Sequence, residues 1–466
     1  MTELPISGSY RPTIMGTNGM VASGHYLATL AGERILARGG NAVDAGVAAG
    51  ICLCVLHIDM VNFAGVAPIM VYLAEEDRVL TISGLGRWPR AASVAYFKEH
   101  CGGKIPLGVL RCITPGSPDA WITALEAYGT MSFAEVTEEA IRLAAEGFPM
   151  HPFMADNVRE AAPQFQQWPS SAAILMPGGR LPEAGDVFVQ RDLARTMRRM
   201  VEAEAGARRQ GRAAGLQAAR DLFYRGDIAR EVAAFYQSQG GLLTYEDLAA
   251  FRVQIEEPVR TGFHEYEIYT CGPWCQGPVL AQAVSLLEGY DLPALGHNSP
   301  AYVHLLTETL KLAFADRERY YGDPEFVDVP MQGLLSREYA EARRRLIDPD
   351  KAHAGMPPAG DPGNVNGSAT PWSGLVAAQP TAAETLDTTY VCAVDRRGNI
   401  FSATPSDGCM SAPVTPGTGL GISSRGSQSW VVDGHPSSVA AGKRPRLTPC
   451  PSLSARLAKG GLPVQE

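Results

Sequence analysis

Within a single peptide bond, at residues 387 and 388, the chain changes character. Residues 350–387 read DKAHAGMPPAGDPGNVNGSATPWSGLVAAQPTAAETLD, with too little apolar periodicity to pack, so they predict a linker or exposed loop. Directly after it come TTYVCAV, DRRGN and IFSATPS, where β-branched and aromatic residues flank a Gly398-Asn399 turn. That pattern predicts a β-hairpin starting at Thr388. A flexible segment running into a rigid strand suits a chain that is cut at the junction, between Asp387 and Thr388.

The chemistry follows from the residue type. A threonine hydroxyl is a poor nucleophile until a base takes its proton, and an N-terminal threonine carries that base in its own α-amine. An α-amine titrates near 7.7–8.0 rather than near 10.4 as lysine does, so much of it is unprotonated at neutral pH. The same hydroxyl can release the amine by attacking the preceding carbonyl. On spacing alone, though, Thr-Thr at a strand start is also plain β-propensity.

Elsewhere the pattern is that of a large α/β body. Helical periodicity runs from about His25 to Arg38, Gly39-Gly40 supplies a stop, and Asn41 or Asp44 caps a second, small-residue-rich helix. APIMVYLAEEDRVLTISGLG predicts a hairpin, and helices dominate from about Asp119 to Phe251. RTGFHEYEIYTCGPWCQGPVLAQAVSLLEGYDL reads as strand, Gly/Pro turn and helix. Ser299-Pro300 opens a long helix to about Tyr320, whose Val303, Leu306, Leu310 and Phe314 recur at helical spacing and predict its core face.

Composition excludes several classes. With 466 residues, 45% hydrophobic and 19% charged, the chain is globular, and a net charge of -9 leaves no footprint for nucleic acid. The Arg-rich stretch from Arg195 to Arg225 reads as exposed helix faces laced with ion pairs. The longest apolar run, Val43 to Leu56, falls short of the roughly 20 residues of a membrane helix. The N-terminal MTELPISGSYRPTIMGTNG has no charged region leading into an apolar one, which predicts a cytoplasmic protein. The nine cysteines fit reduced thiols. Cys271 and Cys275 flank Gly-Pro-Trp with no second Cys or His pair at zinc-like spacing, so no metal and no cofactor is expected.

An ordered series of segments runs GMVAS, GGNAVDA, ITPGSPDAW, EEAIRLAAEGFPM, GGLLTYEDLAAF and PWCQGPVLAQAVSLLEGYDL. HLLTETLKLAFADRERYYGDPEFVDVP, DTTYVCAVDRRGN and SRGSQSWVVDGHPSSVAAGKRPRLTPCPSL complete it. Over almost the whole length this resembles the γ-glutamyltransferase (glutathione hydrolase) family of N-terminal-nucleophile hydrolases. The resemblance implies an α/β fold, the four-layer αββα sandwich with additional helices. It implies a precursor that cuts itself between Asp387 and Thr388 into a helix-rich segment, 1–387, and a β-rich segment, 388–466, which then pair with each other. Thr388 would be the nucleophile and Ser406, eighteen positions on, the hydroxyl that bonds it. Arg87, Thr404, Arg425, Gln428 and Thr448 fall at or near substrate-contacting positions.

The match also departs from the family pattern. In LGRWP the family's carboxylate-binding arginine is Leu85, with Arg87 two residues later. The family's asparagine is Gly408, its amine-binding acid is Gln428, its serine pair is Leu447-Thr448, its asparagine pair is Ser423-Ser424, and its glycine-rich turn is VNFAGVAP. A charged hydrogen bond contributes about 1.5–3 kcal/mol, so losing several predicts an acyl group other than glutamyl. An oxamate-amidohydrolase-like or acylase-like amidase acting on a small-molecule amide is expected. The alternatives are a true γ-glutamyltransferase and, in another class, a catalytically degenerate binding protein.

The family's Gly-Gly oxyanion pair maps beyond residue 466, and Gly460-Gly461 matches the turn before it. Each oxyanion donor lost costs about 2.7–4 kcal/mol. An unpaired sheet edge there predicts association or instability, with a homodimer as one form of association.

Overall fold

The computed structural model describes residues 13–364, 388–457 and 463–464. Its two principal sheets are built from β1 (Gly19–Ser23), β2 (Ile69–Leu73), β3 (Arg78–Ile82), β4 (Ile255–Glu256), β5 (Val259–Phe263), β6 (Tyr266–Thr270), β7 (Val391–Asp395), β8 (Ile400–Ala403), β9 (Ser452–Leu457) and β10 (Pro463–Val464). The first sheet has the order β1-β7-β8-β2-β3-β4 and the second β10-β9-β6-β5, all antiparallel.

Period-two alternation divides each strand of the first sheet between two cores. Val391, Ala393, Phe401, Ala403, Ile69, Val71 and Ile82 face one helical layer, while Met70 and Val79 join Tyr269 and Leu453 between the sheets. The helical layer is α1 (Tyr26–Ala37) and α2 (Ala42–Leu56). Asn41 and Asp44 form a reciprocal capping box at the start of α2, and every residue of α2 is buried. Its small residues let it press onto the sheet: a Cβ on Gly46 would lie 2.0 Å from the Phe401 ring. On the far side of α2 stand α3 (Ser117–Tyr128) and α4 (Phe133–Glu146). The outer face of the second sheet is covered by α5 (Gly277–Leu287), which packs on α6 (Pro300–Tyr320). Helix, sheet, sheet, helix is the expected αββα order.

Both halves of the chain build the first sheet. β7 sits between β1 and β8, and β8 pairs with β2, so strands from beyond Thr388 are interleaved with strands from before it.

Three expectations need correction. RTGFHEYEIYT is not one strand but the hairpin of β5 and β6, because His264 turns left-handed at φ 52°. On α6 the apolar stripe is displaced: Val303 and Leu310 are 50% and 42% exposed, while Leu305, Glu308, Thr309, Leu312, Ala313 and Asp316 are buried. Periodicity locates an apolar face but not the polar side chains that a neighbour satisfies. Asp316, for instance, accepts from Tyr339, Gln282 and the Gly360 amide. The Arg195–Arg225 stretch is likewise not all surface. Arg220 is buried on Asp119, and the Glu204 carboxylate caps the first amides of α4.

Candidate active site

Thr388 and Ser406 face each other across an antiparallel bridge just before β7 and just after β8. Thr389 N–H donates to the Pro405 carbonyl at 3.1 Å, continuing the hairpin register to the threonine pair. The two hydroxyl oxygens lie 2.7 Å apart. Thr388 is half-buried, while Ser406 is buried.

The far side of Ser406 is fixed by backbone. Its N–H donates to the Val66 carbonyl at 3.0 Å and its carbonyl accepts from Val66 N–H at 3.3 Å. Gly65 makes this approach possible, since a Cβ there would meet the Ser406 carbonyl oxygen at 2.5 Å. This is the role of the single glycine retained in VNFAGVAP.

The buried Arg425 guanidinium donates to the Ser406 hydroxyl. A hydroxyl that accepts from a cation is polarised, and so the contact between Ser406 and Thr388 is strengthened when Ser406 is its donor. Arg425 is aimed by the residue before it: Ser424 N–H and Oγ–H donate to the Asp407 carboxylate at 3.0 and 2.8 Å. Asp407 itself is left-handed at φ 87°, and its carbonyl accepts from Asn62 Nδ2 at 2.5 Å. Asn62 and Asp407 are not among the expected site residues, and Ser424 is expected only as half of the pair that stands at the family's two asparagines. The Ser-Asp-Gly turn at 406–408 is the local signal for Asp407, while Asn62 comes from a distant segment.

The remaining expected residues divide into two groups. Gln428 and Thr448 are brought together: Gln428 Nε2 donates to Thr448 Oγ1 at 2.8 Å and Thr448 N–H donates to Gln428 Oε1 at 3.2 Å. Thr404 follows β8 and donates its N–H to the Pro68 carbonyl at 3.1 Å. Arg87, by contrast, is held by both carboxylate oxygens of Glu325 at 2.6 and 2.8 Å and by the Gly442 carbonyl at 3.0 Å. A guanidinium already neutralised this way is a weak ligand for a further carboxylate. Asp387 and Gly460-Gly461 lie outside the described residues.

The departures from the family pattern are built into the packing. Leu85 is 1% exposed and shares an apolar cluster with Val66, Trp88, Ile113 and Leu447. Gly408 lies so close to the Asp59 carbonyl that a Cβ would stand 2.2 Å from it, so this backbone cannot carry an asparagine.

Behind the threonine pair lies a trio of imidazoles. His57 Nε2 is 3.3 Å from the Gly24 carbonyl, and a Cβ on Gly24 would meet the Thr389 hydroxyl at 2.2 Å. His57 contacts His25 and His151, with ring centroids 5.5 and 4.6 Å away, and its Nδ1 is 3.7 Å from Asp59. Burial, then the charges of His57 and His151, push His25 down to about 4, and burial and His57 lower His151.

One grouping is not visible in the sequence spacing. Cys271 and Cys275 lacked a partner by spacing, but the fold brings Cys450 to them, with all three sulfurs within 4.8 Å of one another.

Comparison with known proteins shows the family of the chain. The family model described as Gamma-glutamyltranspeptidase matches residues 28–462. The Acylase ACY 1 proenzyme of Pseudomonas sp. (strain V22) is 32% identical, over 95% of this chain and 75% of its own length. The Glutathione hydrolase-like YwrD proenzyme of Bacillus subtilis (strain 168) is 31% identical, over 97% of this chain and 78% of its own. The crystal structure of the cephalosporin acylase from Bacillus halodurans superposes with a TM-score of 0.83 at 27% identity, covering 99% of this chain and 79% of that one. With the family model spanning nearly the whole sequence and the αββα layers in place, the chain belongs to the gamma-glutamyltranspeptidase family of N-terminal-nucleophile hydrolases.

Proposed function

We propose that the chain is an autoprocessing amide hydrolase or acyltransferase that works through Thr388. The observation that carries this reading is the 2.7 Å pairing of the Thr388 and Ser406 hydroxyls, with Arg425 on the outer side of Ser406. In the uncut chain the Thr388 nitrogen is an amide, so the first reaction is internal. Thr388 Oγ1 attacks the Asp387 carbonyl carbon, the peptide C–N bond breaks, and the acyl group moves to oxygen as the amine is freed. Water then hydrolyses that ester, leaving an Asp387 carboxylate and a free Thr388 α-amine.

With substrate, the amine takes the hydroxyl proton as Oγ1 attacks the amide carbonyl, and returns it to the departing amine. Water completes hydrolysis of the resulting acyl-enzyme, or a second amine completes transfer. Interleaving of β7 and β8 with β1 and β2 supports lasting association of the two fragments.

The acyl group is one without the α-amino acid centre of a glutamyl residue. Leu85 is packed among apolar side chains, Gln428 is neutral and engaged by Thr448, and Arg87 is neutralised by Glu325. A zwitterionic acyl group would leave both its charges short of partners, whereas the acylase relatives suit this reading.

Two measurements test it. Intact mass of purified protein should report two fragments separating at Thr388, and a single chain for Thr388→Ala. Hydrolysis of γ-glutamyl, glutaryl and pentanoyl p-nitroanilides should favour the acyl groups lacking the amine, by about tenfold or more in kcat/KM. An intact wild-type chain after prolonged incubation refutes the mechanism; a γ-glutamyl preference refutes the specificity alone.

A further inference from the structure

We propose that Cys271, Cys275 and Cys450 form a binding site for a thiophilic d10 cation, Zn(II) or Cu(I), that ties the segment before Thr388 to the segment after it. Cys271 directly follows β6 and Cys275 lies two residues before α5, whereas Cys450 lies two residues before β9. β6 and β9 are neighbours, with Thr270 opposite Ser452, so the sheet register itself carries the third cysteine to the other two.

The site has a shaped interior. Gly277, the first residue of α5, leaves room for the third sulfur: a Cβ there would stand 2.8 Å from Cys450 Sγ. The Gly277 N–H donates to Cys275 Sγ at 3.3 Å, and the start of α5 has no side-chain cap, so its dipole favours negative charge on that sulfur. Trp274 and Leu447 are both fully buried beside the cluster, joined by a hydrogen bond of 2.9 Å from Leu447 N–H to the Trp274 carbonyl. Cys271 and Cys275 are buried and Cys450 is half-buried.

The chemistry of three converging sulfurs selects the ion. Metal–thiolate bonds of about 2.3 Å place sulfurs about 3.8 Å apart in a tetrahedral site, so sulfurs already within 4.8 Å need to close by only about an ångström. Soft thiolates select zinc or cuprous copper over magnesium or calcium. Each sulfur loses its proton to solvent as the cation binds. No oxidant or reductant is required. Binding does not depend on cleavage at Thr388 and would occur in the uncut chain as well.

The experiment uses reduced, full-length protein purified without chelating resin. It is challenged separately with Zn(II), with Cu(I) under anaerobic conditions, and with Co(II) as a spectroscopic stand-in for zinc. Stoichiometric uptake is expected, with a thiolate-to-cobalt charge-transfer band and three fewer thiols reactive to a disulfide reagent. Competition with a zinc chelator and with a cuprous chelator identifies the native ion. Cys450→Ser should weaken binding by at least about tenfold, and Cys112→Ser, a buried cysteine outside the cluster, should not. If Cys450→Ser fails to fold, the cobalt band and thiol count of the wild type decide. Folded, reduced protein that takes up none of the three metals overturns the proposal, as does Cys450→Ser binding like the wild type, or a disulfide within the cluster in protein kept reduced.

Discussion

The Ser406 hydroxyl lies 2.7 Å from that of Thr388, eighteen residues earlier, and the bridge between their backbones holds the pair in register. Because Arg425 polarises Ser406, removing the serine hydroxyl takes away both the contact and the charge behind it. Ser406→Ala should slow both self-cleavage and turnover by about 100-fold, the scale on which loss of one oriented hydroxyl or donor is felt. Ser406→Thr should retain most of the rate. Fragment appearance on a gel and turnover of a p-nitroanilide measure the two steps, and an Ala variant that keeps wild-type rates removes Ser406 from the mechanism.

Arg444, within the KRP motif, is 2% exposed and binds Asp323 through Nε and Nη2 at 3.1 and 2.8 Å, and Glu256 through Nη1 at 2.7 Å. Both acids come from the segment before Thr388. Arg444→Met strands the buried Asp323 carboxylate and should destabilise the protein by about 3–5 kcal/mol, read from urea unfolding. Asp323→Asn with Arg444→Met should recover part of that loss; a single variant unchanged in midpoint would mean the pair is not buried in solution.

Gly46 packs on the Phe401 ring across the interface between α2 and the first sheet. Gly46→Ala adds a methyl where no space exists and should destabilise by about 1–3 kcal/mol despite the better helix propensity of alanine. Phe401→Leu in the same chain should relieve the clash, and a double-mutant cycle on thermal midpoints measures the coupling.

Acid should weaken the fold through the imidazole trio. His25 titrates near 6.5 when unfolded and is pushed down to about 4 when folded by burial, then by His57 and His151. Between those values the unfolded chain holds a proton that the native chain does not. Stability from this group is therefore present above pH 6.5 and is lost as pH falls toward 4, by at most about 1.4 kcal/mol per pH unit. His25→Asn keeps an acceptor for the Leu27 N–H at the start of α1 and should flatten the dependence over that window, with His151 leaving a residual slope. An unchanged profile of thermal midpoint against pH refutes this assignment.

Local structure was legible in the sequence wherever near neighbours decide it. The capping box of Asn41 and Asp44, the hairpin of β2 and β3, the turn at Asp395–Asn399 and the Ser299-Pro300 helix start all follow from contacts within a few residues. The pairing of Thr388 with Ser406 was expected only from the family resemblance; local pattern alone gave a hairpin and not its hydroxyl contact. Only the tertiary structure decided what surrounds them. Arg425 is aimed by Asp407 and Ser424, Asp407 is held by Asn62, Arg87 is drawn to Glu325, and Cys450 joins Cys271 and Cys275. Apart from Asp407 with Ser424, seventeen residues on, each of these links segments from remote parts of the chain. A side chain's local pattern records its preference for burial or turn, but its partner is set by which strands lie side by side, and that is fixed when the layers pack.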